Sequence, residues 1–104
     1  MFLVADGGNH CVEVFDQSGT FLYKFGKKGN QDGQFNWPRG MLVDSSYSLL
    51  VCDGENNRVR QFSSDGRCTG KTITHLPVPI GIAKAPDGRI LVTSYTAKKV
   101  YILK

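Results

Sequence analysis

The chain has 104 residues, 40% of them hydrophobic and 21% charged, with a formal net charge of +4. That is an ordinary globular composition, which argues against a disordered segment, and the length suits one small domain or part of a larger one. The apolar runs are too short to cross a membrane as helices, and the basic balance permits an anionic partner without requiring one.

In chain order, the first predicted strand covers residues 2–5 and ends in the turn Asp6-Gly-Gly-Asn9. A second, 12–15, alternates polar and apolar residues, and Ser18-Gly19 closes a hairpin into a third at 21–25. Phe35-Asn-Trp37-Pro38-Arg39-Gly40 leads into a strand at 40–43. A nearly continuous apolar strand follows at 49–52, as expected of a strand buried on both faces. Asp53-Gly-Glu-Asn56 then turns the chain into an alternating strand at 59–62, and Asp65-Gly66 turns it again into a strand near 69–73. Leu76-Pro-Val-Pro79-Ile-Gly81 leads into 81–83, Asp87-Gly88 turns into 90–93, and the last strand is 100–103. No stretch shows helical periodicity, so the predicted class is all-β.

The chain also repeats itself. Residues 2–19 align with residues 49–66 at an offset of 47, matching Asp6 to Asp53, Asn9 to Asn56, Val12 to Val59 and Phe15 to Phe62. Residues 90–104 form a third copy at an offset of 41, in which Ser94 replaces the Asp. The Pro-x-Gly element of Pro38 and Gly40 recurs at Pro79 and Gly81, again 41 residues on. An ordinary β-sandwich would share the strands and turns but not these matched offsets. A repeating unit of about 40–45 residues in four short antiparallel strands, A to D, is the blade of a propeller, which buries its two faces only by stacking on neighbours. The predicted division is strands B-C-D of a first blade in 1–34, a complete blade in 35–75, and strands A-B-C of a third in 76–104.

Asp6-Gly-Gly-Asn9-His10-Cys-Val12 and Asp53-Gly-Glu-Asn56-Asn57-Arg58-Val59 resemble the signature of NHL repeats. Phe35-x-x-Pro38-x-Gly40 resembles the start of that family's strand A, and Phe21-Leu-Tyr-Lys-Phe25-Gly26 its strand D. The resemblance covers essentially the whole chain, is weakest where Ser94 to Lys99 loses the Asp and Asn, and looks closest to the C-terminal NHL domains of TRIM-type proteins. It implies an incomplete ring, closed by self-association or by further repeats. It also implies a cytoplasmic, non-catalytic scaffold that binds RNA or, alternatively, a protein partner recruited for a TRIM-type ubiquitin ligase. Any ligase activity would lie in a RING domain outside this chain.

In a propeller the D–A and B–C loops share one face, the A–B and C–D loops the other. The first face then receives Lys27, Lys28, Arg39, Arg58, Lys98 and Lys99 against Asp32 and Glu55, and is net positive. The second receives Arg67 and Arg89 against Asp16, Asp44, Asp65 and Asp87, and is net negative. A basic face with Trp37, Tyr95 and His75 available for stacking suits single-stranded or loop RNA. Asp6, Asn9, Asp53 and Asn56 are expected to form turns, with the carboxylates tied to local backbone N–H groups. Gly40 and Gly81 are expected to permit close backbone approach. No GxSxG, HExxH or phosphate-loop spacing occurs, and His10 and His75 stand at non-equivalent positions, so neither catalysis nor a metal or cofactor is expected. The cysteines, without CxxC or zinc spacing, read as small core residues in a reducing compartment, and residues 1–10 lack the pattern of a signal peptide.

Overall fold

A computed structural model describes residues 2–43, 48–63 and 66–103, which places Asp44 and Asp65 outside the described residues. Ten strands form three antiparallel sheets, with no α-helix among the described residues. The first sheet contains β1 (Phe2–Asp6), β2 (Cys11–Phe15) and β3 (Phe21–Phe25). The second contains β4 (Pro38–Val43), β5 (Leu49–Asp53), β6 (Arg58–Phe62) and β7 (Cys68–Ile73). The third contains β8 (Pro79–Lys84), β9 (Ile90–Ser94) and β10 (Lys99–Leu103). Each strand pairs with its neighbour in sequence, giving the meander of propeller blades. The three sheets do not close into a ring.

The period of two along β5 decides how the sheets stack. Leu49 and Val51 point into one core with Val12, Phe35 and Phe62, joined by Leu3 and Phe25 of the first sheet. Cys52 points the other way, into a second core with Val59, Leu76 and Val92, joined by Leu50, Ile82, Tyr101 and Leu103. The continuous apolar run of β5 therefore serves two cores. Phe25, Phe35 and Phe62 meet in the first core with ring centroids 5.2–6.4 Å apart.

Along the inner side, β4 lies against β8. A Cβ on Gly40 would overlap the carbonyl oxygen of Ile80, so only glycine allows that approach. Gly81 is constrained differently: its N–H donates to Thr93 Oγ1 at 3.0 Å, where a Cβ would lie only 2.7 Å from that oxygen. Pro38 and Pro79 are both buried at the starts of β4 and β8.

Burial also sets the chemistry of the thiols. It pushes the Cys52 thiol up to about 12. Cys11 is raised as well, by burial first and then by the carboxylates of Asp6 and Glu13. Cys68 is the one thiol left partly open. Because the thiolate is the reactive form, alkylation of the folded chain at about pH 8 should label Cys68 and leave Cys52 untouched. Mass spectrometry after brief trapping measures this; equal labelling of Cys52 and Cys68 would contradict the burial.

Candidate partner-binding face

The D–A loops and B–C turns interlock on one side of the sheets. The first two B–C connections are single 3₁₀ turns, Gly7–Asn9 and Gly54–Asn56, each clamped across its ends by an Asx pair. Asn9 Nδ2 donates to Asp6 Oδ2 at 2.9 Å, and Asn56 Nδ2 donates to Asp53 Oδ2 at 2.9 Å. The residue that follows leaves the turn in the left-handed region: φ is 55° at His10, 54° at Asn57 and 53° at Lys98. In the third turn Ser94 Oγ takes over the work of the missing carboxylate, donating to the Pro77 carbonyl and accepting the Ala97 N–H at 3.0 Å.

Those left-handed residues join one sheet to the next. His10 Nδ1 accepts the backbone N–H of Trp37 at 3.0 Å, and Asn57 Oδ1 accepts that of Val78, also at 3.0 Å. His10 is therefore the tautomer with its proton on Nε2. Trp37 and Val78, each preceding a proline, have φ of 59° and 40°, conformations costly for non-glycine residues and held here by the joint. Imidazole and carboxamide share only an acceptor at the same reach, so residue type alone does not reveal the equivalence.

Asp53 is fully buried, and beyond the Asn56 clamp it takes partners from outside its own turn. Its Oδ1 accepts the Asn36 N–H at 2.7 Å, and its Oδ2 accepts Arg58 Nε at 2.8 Å. The rest of the Arg58 fork donates to carbonyls of the preceding loop, Asn30 at 2.8 Å and Gln34 at 3.2 Å, while Asn56 Nδ2 reaches the Gly29 carbonyl at 2.8 Å. Arg58, assigned from the sequence to the open basic face, is thus turned inward: its side chain is only 11% exposed, because the buried Asp53 carboxylate requires a cation. Asp32, counted as an opposing charge, is drawn to the buried guanidinium of Arg60 at 2.7 Å.

The remaining basic candidates are exposed. Lys27 and Lys28 lie on the loop after β3, where the Phe35 N–H donates to the Lys27 carbonyl at 2.9 Å. Trp37 stands 44% exposed, with Gly7 against its indole. It meets the His10 ring edge-on at 5.8 Å, and the Arg39 guanidinium lies 5.8 Å from its centroid. The structure so brings Trp37, Arg39 and His10 together. Tyr95, 67% exposed, and Lys98 lie on the B–C turn of the third sheet, and Lys99 holds its ammonium 5.5 Å over Tyr101. His75 is exposed on the loop before β8, with φ of 61°.

One grouping is invisible in the linear sequence. Asp6 faces Cys11 across β1 and β2, and with Glu13 they place one ligand-type atom each within 4.8 Å of one another. The Asn9 amide, above all, holds Asp6 below the usual carboxylate range, while burial and then Asp6 itself raise Glu13. Of the two, Glu13 therefore takes up a proton before Asp6 does.

No protein-family model matches this chain. Among curated proteins it is similar to Protein brain tumor of Drosophila melanogaster, 30% identical over 103 residues, covering 96% of this chain and 10% of that protein. It is similar to E3 ubiquitin-protein ligase NHLRC1 of Homo sapiens, 23% identical over 101 residues, covering 97% and 26% respectively. Protein lin-41 of Caenorhabditis elegans is 40% identical over 50 residues, covering 48% of this chain and 4% of that protein. The chain thus spans about a tenth and about a quarter of the first two. These relatives are NHL-repeat proteins, matched at low identity.

Proposed function

We propose that this chain is part of an NHL-repeat propeller of the TRIM-like kind, and that the face built by its D–A loops and B–C turns binds single-stranded RNA. The observation that carries the reading is Trp37, an exposed indole braced by His10 and Arg39 on the same face as Lys27, Lys28, Lys98 and Lys99. An indole held this way offers a stacking surface already ordered before a base arrives, and the lysines supply charge for the phosphates. Tyr95 gives a second ring on the turn of the third sheet. The division of the chain at 34/35 and 75/76, and a reducing, cytoplasmic setting for its thiols, belong to the same proposal. No acid–base or nucleophile constellation enters it.

The test is RNA affinity against salt. Binding through phosphates should weaken as salt rises, with a log–log slope of about −0.7 per contact for a single strand. Lys27→Glu with Lys28→Glu should flatten that slope. Trp37→Ala should weaken binding by about 1–3 kcal/mol and leave the slope unchanged. Arg58→Glu is unsuitable, because it sets a second carboxylate against buried Asp53. If the wild-type chain shows no RNA affinity at low salt, the RNA reading falls and a protein partner becomes the better account of this face.

A further inference from the structure

One buried cation in this fold lacks a full set of partners. Arg60 and Phe62 stand two residues apart on β6, so their side chains share the face turned toward the first sheet. Phe62 fills the core there, and Arg60 is carried into the same seam, where it is 3% exposed. A guanidinium buried that deeply requires a counter-charge and acceptors for its N–H groups. Its carboxylate partner is Asp32, whose side chain is 84% exposed and so shares its charge with water. Arg60 Nε is buried with no acceptor.

The other group in contact with this guanidinium is a thiol. Cys68 pairs with Phe62 across β6 and β7, which puts its side chain on the same face as Arg60. Arg60 Nη2 donates both to Asp32 Oδ1 and to Cys68 Sγ, each at 2.7 Å. An oxygen added to that sulfur brings a new acceptor up to a guanidinium that is short of one. The site lies between the first two sheets: Cys68 packs on the first core, and Gly66, on the turn before it, sits against the Phe25 ring of β3. Cys68 is nevertheless partly open, with exposed Arg67 and Thr69 on either side. Cys11 and Cys52 are 2% and 0% exposed, and the groups clustered with Cys11 are the carboxylates of Asp6 and Glu13.

We propose that Cys68 is a site of oxidation by hydrogen peroxide to the sulfenic acid, with Arg60 activating the sulfur and Asp32 competing for the same guanidinium. A cation in contact with Sγ favours negative charge on the sulfur, which is the nucleophilic form. That sulfur attacks one peroxide oxygen, and the S–O bond forms as the O–O bond breaks. The sulfur is oxidised by two electrons and the peroxide reduced; the leaving hydroxide takes up the proton given by the thiol and departs as water. The oxygen left on Cys68 then accepts from Arg60. Cys52 points into the second core, so it does not stand ready to condense with the product. The inference is independent of RNA binding and is measured without RNA.

The test treats the full chain with hydrogen peroxide at pH 7, traps sulfenic acid with dimedone and locates it by peptide mass spectrometry. Cys68 should be labelled ahead of Cys11 and Cys52. Unfolding in urea should slow Cys68 while speeding the other two, because it parts Cys68 from Arg60 but opens all three thiols. Asp32→Asn, on an exposed side chain, should speed Cys68 by about threefold or more, since the guanidinium then has no competing carboxylate. Arg60→Gln should slow it by about tenfold or more in a chain that keeps the wild-type circular dichroism. Should Arg60→Gln fail to fold, the urea and Asp32→Asn arms decide alone. Labelling of Cys68 that is no faster in the folded chain than in urea would overturn the proposal, and so would an Asp32→Asn rate equal to or below that of the wild type.

Discussion

Asp53→Ala is expected to cost about 3–5 kcal/mol of folding stability, the range for breaking a buried ion pair by removing one partner. The carboxylate is fully buried and takes donors from Asn36, Asn56 and Arg58. Its removal leaves the Arg58 guanidinium with little water and no counter-charge, and frees the loop whose carbonyls that guanidinium holds. Asp6→Ala supplies the internal control. Asp6 stands at the same place in its repeat, but it is half-buried, and cysteine rather than arginine fills the position of Arg58. Urea titration of the two variants should show a much larger drop in midpoint for Asp53→Ala. Equal drops would mean that the DxxN turn, rather than the ion pair, carries the stability.

Phe62→Ala is expected to cost a similar amount, about 3–5 kcal/mol, through the cavity it leaves. Phe62 is fully buried and touches both Phe25 and Phe35, with centroids 5.4 and 5.2 Å away. Phe25 comes from the first sheet and Phe35 from the loop between the sheets, so the cavity opens at the seam between two sheets. The change should therefore loosen β3 as well as β6. Phe15, its counterpart in the first sheet, is only half-buried and should tolerate alanine at well under half that cost. Denaturant midpoints for the pair test this, and a Phe15→Ala loss equal to that of Phe62→Ala would show that the seam of phenylalanine rings is not what sets the cost.

Much of this architecture was legible in the sequence, and for a physical reason. Each strand lies within two residues of the segment marked by its apolar run and its Gly or Asp turn, because a propeller blade is built from local hairpins whose signals are local too. The repeated glycine of β4 was legible for the same kind of reason: close backbone approach admits no other residue. What the sequence hid depends on contacts between repeats. Sorting charges by loop placed Arg58 outward, since nothing near Arg58 in sequence says that Asp53 will be buried. The joint made by His10 and Asn57 was hidden by their different chemistry. The cluster of Asp6, Cys11 and Glu13 appears only once β1 and β2 are paired. Of the acidic residues assigned to the opposite face, Asp44 and Asp65 lie outside the described residues.

The middle sheet gives one face to each of the two cores. In a linear stack whose units touch only their neighbours, that makes its energy unlike that of the outer two. Among the described residues, loosening the first or third sheet gives up one of the two apolar layers, whereas opening the middle one gives up both at once. Of the strands described, β5, fed by both layers, is thus the one expected to let go last.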